Sequence, residues 1–151
     1  MLKLWDFALD FYARPGVEAD CLALQERGVD VCLLLCCAWL FANGTPFEPA
    51  RFASLQGIAS SWQDHVIAPL RRIRRDWKEG AREDTALSAL RERLKRLELD
   101  GERILLERLE TATASWPKGR TPSPNWLTSA TQIARDDAAT QRLIERLRGG
   151  A

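Results

Sequence analysis

Apolar residues recur at helical spacing between positions 50 and 79, and they keep this spacing across a proline. Each lies three or four positions after the one before it: Phe52, Leu55, Ala59, Trp62, Val66, Leu70, Ile73 and Trp77. Such steps place side chains on one face of an α-helix. Pro69 removes the hydrogen-bond donor for the carbonyl of His65, and a proline inside a helix usually bends it. The spacing therefore predicts one long proline-kinked helix over residues 50–79, bent near His65 and Val66.

A second constraint is the uncharged apolar run from Val31 to Ala42, which follows Asp30. Aspartate is a preferred residue at helix N-termini, so Asp30 is expected to cap a helix over residues 30–42. This helix would have no polar face. We therefore expect it to be the central and most buried helix of the fold.

The remaining segments are also helical in pattern, and alternation typical of strands is almost absent. The chain is predicted to be a single all-α domain, residues 1–151, built as a bundle of five or six helices. The last helix is expected at 128–147, after a proline-rich loop at 116–126 and before a disordered tail at 148–151. Trp116 and Trp126, at the two ends of this loop, are expected either to pin it to the rest of the protein or to line a groove.

Composition fits an ordinary soluble globular protein, and the cysteines, three of which lie inside an apolar run, favour a reducing cytoplasm. The 151 residues are 46% hydrophobic and 28% charged, with a formal net charge of +1. The run at 31–42 is too short to span a bilayer, and Asp6 and Asp10 interrupt any signal-peptide core. A charge this close to zero does not by itself indicate a nucleic-acid-binding domain.

The densest chemistry lies between Trp62 and Trp77. The second half of this stretch and the position just after it carry five cations: Arg71, Arg72, Arg74, Arg75 and Lys78. They could bind an acidic protein partner, or clamp phosphates of RNA, DNA or another anion, with both tryptophans available for stacking. The alternative is a structural role. The cations would form a solvated face tied by pairs four residues apart, Arg72 with Asp76 and Arg75 with Glu79, together with buried contacts to neighbouring helices.

Candidate catalytic and metal-binding groups are sparse. His65 is the only histidine, and an enzyme at the proline bend would have to combine it with Asp64, Trp62 and the nearby arginines. Cys32 and Cys36 are four positions apart, but zinc-site spacing is missing, and the cysteines are predicted to pack as small apolar side chains. We predict no metal ion and no cofactor.

Three segments resemble a known family of short proteobacterial proteins of unknown function. They are the strings Leu4-Trp5-Asp6-Phe7-Ala8-Leu9 with Tyr12, Gly28-Val29-Asp30-Val31, and Pro69-Leu70-Arg71 with Arg74-Arg75. The resemblance covers about residues 2–110. It implies an all-helical cytoplasmic protein, and it supplies no catalytic residues to carry over.

The leading hypothesis from the sequence is a non-enzymatic interaction protein that presents the arginine-rich helix face to an acidic protein partner. The alternative is nucleic-acid or anionic-ligand binding through the same arginines. A further alternative is an enzyme with its site at the proline bend near His65. In each case the candidate site residues are Arg71, Arg72, Arg74, Arg75, Lys78, Trp62 and His65.

Overall fold

A computed structural model describes residues 2–149, and this part of the chain is all-helical. The α-helices are α1 (Leu4–Tyr12), α2 (Val17–Glu26), α3 (Val31–Ala42), α4 (Pro49–Trp62), α5 (Ala68–Asp76), α6 (Thr85–Ala112), α7 (Asn125–Ala130) and α8 (Ala138–Gly149). A π-helical turn, Gln63–Ile67, joins α4 and α5 into one continuous helix. With α4 and α5 counted as one, residues 2–149 form seven helices.

The predicted count of five or six helices is therefore wrong by one, and the error lies at the C-terminal end. The helix expected at 128–147 is two helices, α7 and α8, separated by a 3-10 turn at Gln132–Ala134. Asp137 begins the second of them, because its Oδ1 accepts a hydrogen bond of 2.9 Å from the backbone N–H of Ala139.

The predicted tail at 148–151 is also corrected in part. Arg148 and Gly149 belong to α8, because the amphipathic pattern of that helix continues to its last turn. Residues 150–151 lie outside the described part of the chain.

The central position of α3 is confirmed. Ten of its residues are buried, from Cys32 to Phe41 without interruption. Helices α1, α2, α4, α6 and α7 all pack against it. Asp30 caps it as expected, with Oδ1 accepting from the backbone N–H of Leu33 at 3.1 Å. Between residues 2 and 149, no helix combines the length and apolar character needed to cross a membrane.

The helix across Pro69 is continuous, and the proline is accommodated by the π turn that precedes it. In this turn the backbone N–H of Ala68 bonds to the carbonyl of Gln63, five residues earlier. The wider turn shifts the register just before the position where Pro69 has no N–H to give. The helix ends at Asp76, three residues before the predicted boundary.

Helix α6 packs against this π turn at Gly101. A Cβ added at Gly101 would lie 3.6 Å from Cγ1 of Ile67 and 3.7 Å from Cγ1 of Val66. The indole Nε1 of Trp62 donates to the carbonyl of Gly101 at 2.9 Å. Helix α6 passes this point without a break and extends over 28 residues, about 42 Å.

The proline-rich segment is pinned to the body by Trp126, which is fully buried. Its Nε1 donates to the carbonyl of Thr45 at 2.7 Å, and its ring stacks on Trp116 with centroids 6.0 Å apart. Gly119 also donates its N–H to the carbonyl of Asn43 at 3.1 Å. Of the two roles considered for these tryptophans, the contacts favour pinning. Because α7 begins at Asn125, the loop is two residues shorter than predicted.

Candidate functional site

A cleft of about 1130 Å³ lies between α1, α6 and the α4–α5 helix. The N-terminus of α3 forms part of its wall, and residues of α7 and the following turn line one end. Its apolar walls include Trp5, Leu9, Phe52, Leu99 and Leu106. Leu9 on α1 is 51% exposed and Leu99 on α6 is 50% exposed, so apolar surface remains open to solvent on two sides of the cleft. Clefts of this size with largely apolar walls are the usual binding sites for small molecules.

Polar groups converge at one place on the cleft wall. Asp30, Gln63, Arg71 and Glu102 all line it, and they come from the start of α3, the α4–α5 helix and α6. The Nε2 of Gln63 donates to Oδ1 of Asp30 at 3.1 Å, and Arg71 Nη2 lies 3.6 Å from Glu102 Oε1. We call these four residues the cleft cluster.

Glu98 lies behind the cleft cluster and binds two arginines. It is buried on α6, where its Oε1 accepts from Arg71 Nε at 3.1 Å and its Oε2 accepts from Arg74 Nε at 2.5 Å. A buried carboxylate needs such partners because water no longer solvates it. Arg71 therefore connects Glu98 to the cleft cluster.

The negative charges in this region outnumber the positive ones. Asp30, Glu98 and Glu102 are three carboxyl groups, whereas Arg71 and Arg74 supply the two guanidinium groups that pair with them. Burial raises the pKa of Glu102 to about 6, and the charge of Glu98 acts in the same direction. Burial likewise raises the pKa of Asp30, against the hydrogen bonds from Leu33 and Gln63 that lower it. The cleft therefore holds carboxylates whose charge the described residues do not fully compensate.

Tyr12 faces the same cleft from α1. Burial raises the pKa of its phenol to about 12, with smaller contributions from Cys21, Glu18 and Glu102. The hydroxyl therefore stays protonated at neutral pH and is available as a hydrogen-bond donor.

The π turn places Gln63 against Asp30. Its neighbour Asp64 also lines the cleft, so two successive positions of the turn contribute to one wall. π turns occur frequently at functional sites because they change the direction of side chains within an otherwise regular helix. Here the change traces back to Pro69, the residue that predicts a bend in the sequence.

The five cations predicted to form one face are divided by the structure. Arg71 and Arg74 turn inward to Glu98, while Arg72, Arg75 and Lys78 stay exposed. Arg75 pairs with Glu26 of α2 at 3.0 Å instead of with Glu79, and no ion pair joins Arg72 to Asp76 within residues 2–149. The single cationic face is therefore wrong as predicted, because two of its members satisfy a buried carboxylate on the neighbouring helix.

His65 and Trp62 do not line the cleft. His65 is exposed, and its Nδ1 lies 2.7 Å from the carbonyl oxygen of Ser61, one turn earlier. Trp62 is half-buried, and the guanidinium of Arg108 lies 4.1 Å from the centroid of its ring. Of the residues that the enzymatic hypothesis needed at the bend, Asp64 and Arg71 line the cleft, whereas His65 and Trp62 do not.

The cysteines are buried, as expected of small apolar side chains. Cys32 reaches the cleft wall, and burial raises its pKa well above the ordinary value for a thiol. The pKa of Cys36 is raised for the same reason. Among residues 2–149, no three His, Cys, Asp or Glu side chains are arranged to hold a metal ion.

Glu98, Glu102 and Tyr12 were not predicted from the sequence as members of a site. Glu98 did carry a signal, because it follows Leu94 by four positions and precedes Leu105 by seven, on the apolar face of α6. A charged residue on such a face has to find a partner inside the protein. The sequence does not say that the partners are Arg71 and Arg74, which lie 27 and 24 positions away.

Comparison with known proteins gives one family and no characterised relative. The model of a family described as "Protein of unknown function (DUF2390)" matches residues 3–109, which include every residue of the cleft cluster. Neither the curated proteins nor the solved structures contain a match to this chain. Because the matched region spans more than half of the chain, this protein belongs to that family of unknown function.

Proposed function

We propose that this protein binds a small organic molecule in the cleft and that the ligand carries a protonated amine. The observation that supports this most is the excess of carboxylates around Arg71. Glu98 makes the closer contacts with both nearby guanidinium groups, and Arg71 reaches Glu102 only at 3.6 Å, so Glu102 and Asp30 keep acceptor capacity on the cleft wall. A cationic group on the ligand would supply the missing positive charge.

The rest of the cleft suits an apolar or aromatic body attached to that amine. Leu9, Leu99 and Leu106 provide aliphatic surface, and Trp5 and Phe52 provide rings. A few polar groups beside a larger apolar wall is the usual composition of a small-molecule site, in which the polar groups orient the ligand. An anionic ligand is less well matched, because it would have to compete with Glu98 for Arg71.

Three probes of similar shape test the charge of the ligand: phenethylamine, phenethyl alcohol and phenylpropionate. Calorimetric titration at neutral pH should rank them with the amine tightest and the carboxylate weakest. Glu102→Gln should weaken amine binding about tenfold, close to 1.4 kcal/mol, and leave the alcohol unchanged. Glu92→Gln is the matched control, since Glu92 is an exposed carboxylate on the same helix outside the cleft.

The outcomes separate the alternatives. If phenylpropionate binds tightest, the anionic-ligand alternative replaces the cationic one. If none of the three binds and the cleft residues show no chemical-shift change, the proposal of a small-molecule site fails.

A second candidate function is docking of an acidic protein partner through the cations that remain exposed. Arg72, Arg75 and Lys78 lie on the last turns of α5 and just beyond it, and their side chains are exposed. Binding of polyglutamate should be lost in the triple variant Arg72→Glu/Arg75→Glu/Lys78→Glu and retained in Arg96→Glu, which alters an exposed arginine elsewhere. Binding of RNA that weakens steeply with salt would favour the nucleic-acid alternative instead.

A cytoplasmic location forms part of the proposal. All four cysteines are free thiols, which is ordinary in a reducing compartment.

A further inference from the structure

Helix α6 carries a row of apolar side chains that the rest of the described chain leaves open. Leu90 is 50% exposed, Leu97 is 52% exposed and Ile104 is 40% exposed. Successive members are seven positions apart, so all three lie within about 40° of one another on the helix surface. Single exposed leucines are ordinary, but an aligned row of this length is typical of an interface.

Helix α5 extends this row into a two-helix face. Ile73 is 39% exposed. The ion pair of Arg74 with Glu98 and the approach of Ile67 to Gly101 show that α5 runs antiparallel to α6, with Ile73 level with Leu97. We call the surface formed by Ile73, Leu90, Leu97 and Ile104 the hairpin face.

The hairpin face is separate from the cleft. Leu99 and Glu102 point to the opposite flank of α6 from Leu97, because two and five positions along a helix correspond to rotations of about 200° and 140°. An occupant of the hairpin face therefore leaves the cleft open, whether or not the cleft binds the proposed ligand.

We propose that the hairpin face is the interface of a symmetric homodimer. A twofold axis through the middle of the face would place two copies of α6 antiparallel, with Leu97 facing Leu97 of the second copy. Leu90 would then lie opposite Ile104 of the second copy, and the two Ile73 side chains would meet beside the axis. Such an arrangement buries the same surface on both copies, as twofold interfaces do.

Charges at the edge of the face argue for a second copy as the occupant. Arg93 and Asp100 are both exposed on the outer flank of α6, between the apolar residues. The twofold axis brings Arg93 of each copy within about 1.5 Å, measured along the helix axis, of the level of Asp100 in the other. The face thus carries its own complementary charges, and an Arg–Asp pair forms twice in each dimer.

Charge reversal tests this pairing directly. Full-length protein should sediment at twice the 17.1 kDa of one chain at micromolar concentration. Arg93→Glu alone and Asp100→Lys alone should each shift the mass toward the monomer, because each places like charges opposite one another. An equimolar mixture of the two variants should return to the dimer, since the two reversed charges attract across a mixed interface.

Two further variants distinguish this interface from association through another surface of the protein. Leu97→Asp should give a folded monomer, and Lys95→Glu should remain dimeric because that exposed lysine lies about 200° around the helix from Leu97. A monomeric wild-type protein, or a dimer that none of these variants weakens, would overturn the proposal. So would a mixture of the two charge variants that stays monomeric.

Discussion

Glu98 and Asp20 are both buried carboxylates that accept hydrogen bonds from two arginines, yet they differ in what surrounds them. Asp20 on α2 binds Arg142 and Arg146 of α8, at distances of 2.8 and 2.9 Å. The hydrogen bond from Arg142 lowers the pKa of Asp20 below its ordinary value. This group, which we call the α2–α8 clasp, has more positive than negative charge.

The region around Glu98 has the opposite balance. The same arrangement of one carboxylate and two arginines is present, but Glu102 and Asp30 add two further carboxyl groups. Their pKa values are raised, whereas that of Asp20 is lowered. The comparison indicates that the clasp holds α8 to α2, while beside the cleft the carboxyl groups outnumber the guanidinium groups that pair with them.

Removing the carboxylates of Glu98 and Asp20 should have the largest effects on stability, and the loss at Glu98 should be the greater of the two. Glu98→Ala leaves Arg71 and Arg74 with less than a quarter of their side chains in solvent, and we expect it to lower the free energy of unfolding by about 3–5 kcal/mol. Asp20→Ala should cost only about 1–2 kcal/mol, because Arg142 is half exposed and regains water. Urea unfolding of both variants checks this order. Equal losses in the free energy of unfolding would show that the two carboxylates are equally compensated by their surroundings.

Neutralising Glu102 should stabilise the protein at neutral pH. Its folded-state pKa of about 6 lies above the ordinary 4.5, so the folded protein binds the proton more tightly and loses stability as pH rises between these values. Glu102→Gln should therefore gain up to about 2 kcal/mol at pH 7 and little at pH 4. The measurement is urea unfolding across this pH range, with Glu92→Gln as control. A destabilised Glu102→Gln variant at pH 7 would show that Arg71 already compensates this charge.

The clasp should respond to pH in the opposite direction. Because the folded-state pKa of Asp20 is lowered, its contribution is present above about pH 4 and is lost as pH falls through the lowered pKa. Asp20→Asn should thus cost on the order of 1–2 kcal/mol at pH 7 and progressively less in acid. Stability curves of this variant and of Glu102→Gln should diverge from the wild type with opposite signs. Parallel curves would contradict the assigned pKa directions.

The exposed pair between Arg75 and Glu26 should matter least. Both side chains are more than half exposed, and exposed ion pairs contribute roughly 0–1 kcal/mol. Arg75→Ala should change the free energy of unfolding by less than about 0.5 kcal/mol. A larger loss in thermal or urea unfolding would mean that this pair helps to hold α2 against α5.

Local patterns in the sequence were sufficient for much of the fold. The uncharged run after Asp30 predicted a capped central helix, and the apolar spacing predicted that the helix continues across Pro69. Both predictions depend only on local features: the cap within one turn of the helix, and the apolar face of a single helix. The break between α7 and α8 was missed, because the apolar pattern continues across it and only the cap at Asp137 marks the new start.

The site was predicted less well because it depends on which helices become neighbours. Helical spacing correctly placed cations beside the apolar face of α5, but whether Arg71 turns to solvent or to Glu98 is decided by the packing of α6. The cleft itself lies between segments that are distant in sequence, such as α1 and α6. One clue was available in the sequence: a glutamate on the apolar face of α6 required an internal cation.

The ionisation of Glu102 tests the claim of an uncompensated carboxylate in a ligand-binding cleft most directly. Its side-chain carboxyl carbon can be followed by NMR during a pH titration, with and without phenethylamine. We expect a midpoint at about pH 6 in the free protein, moving toward the ordinary value of 4.5 when the amine is bound. A midpoint near 4.5 that the amine leaves unchanged would contradict both the charge imbalance and the proposed ligand.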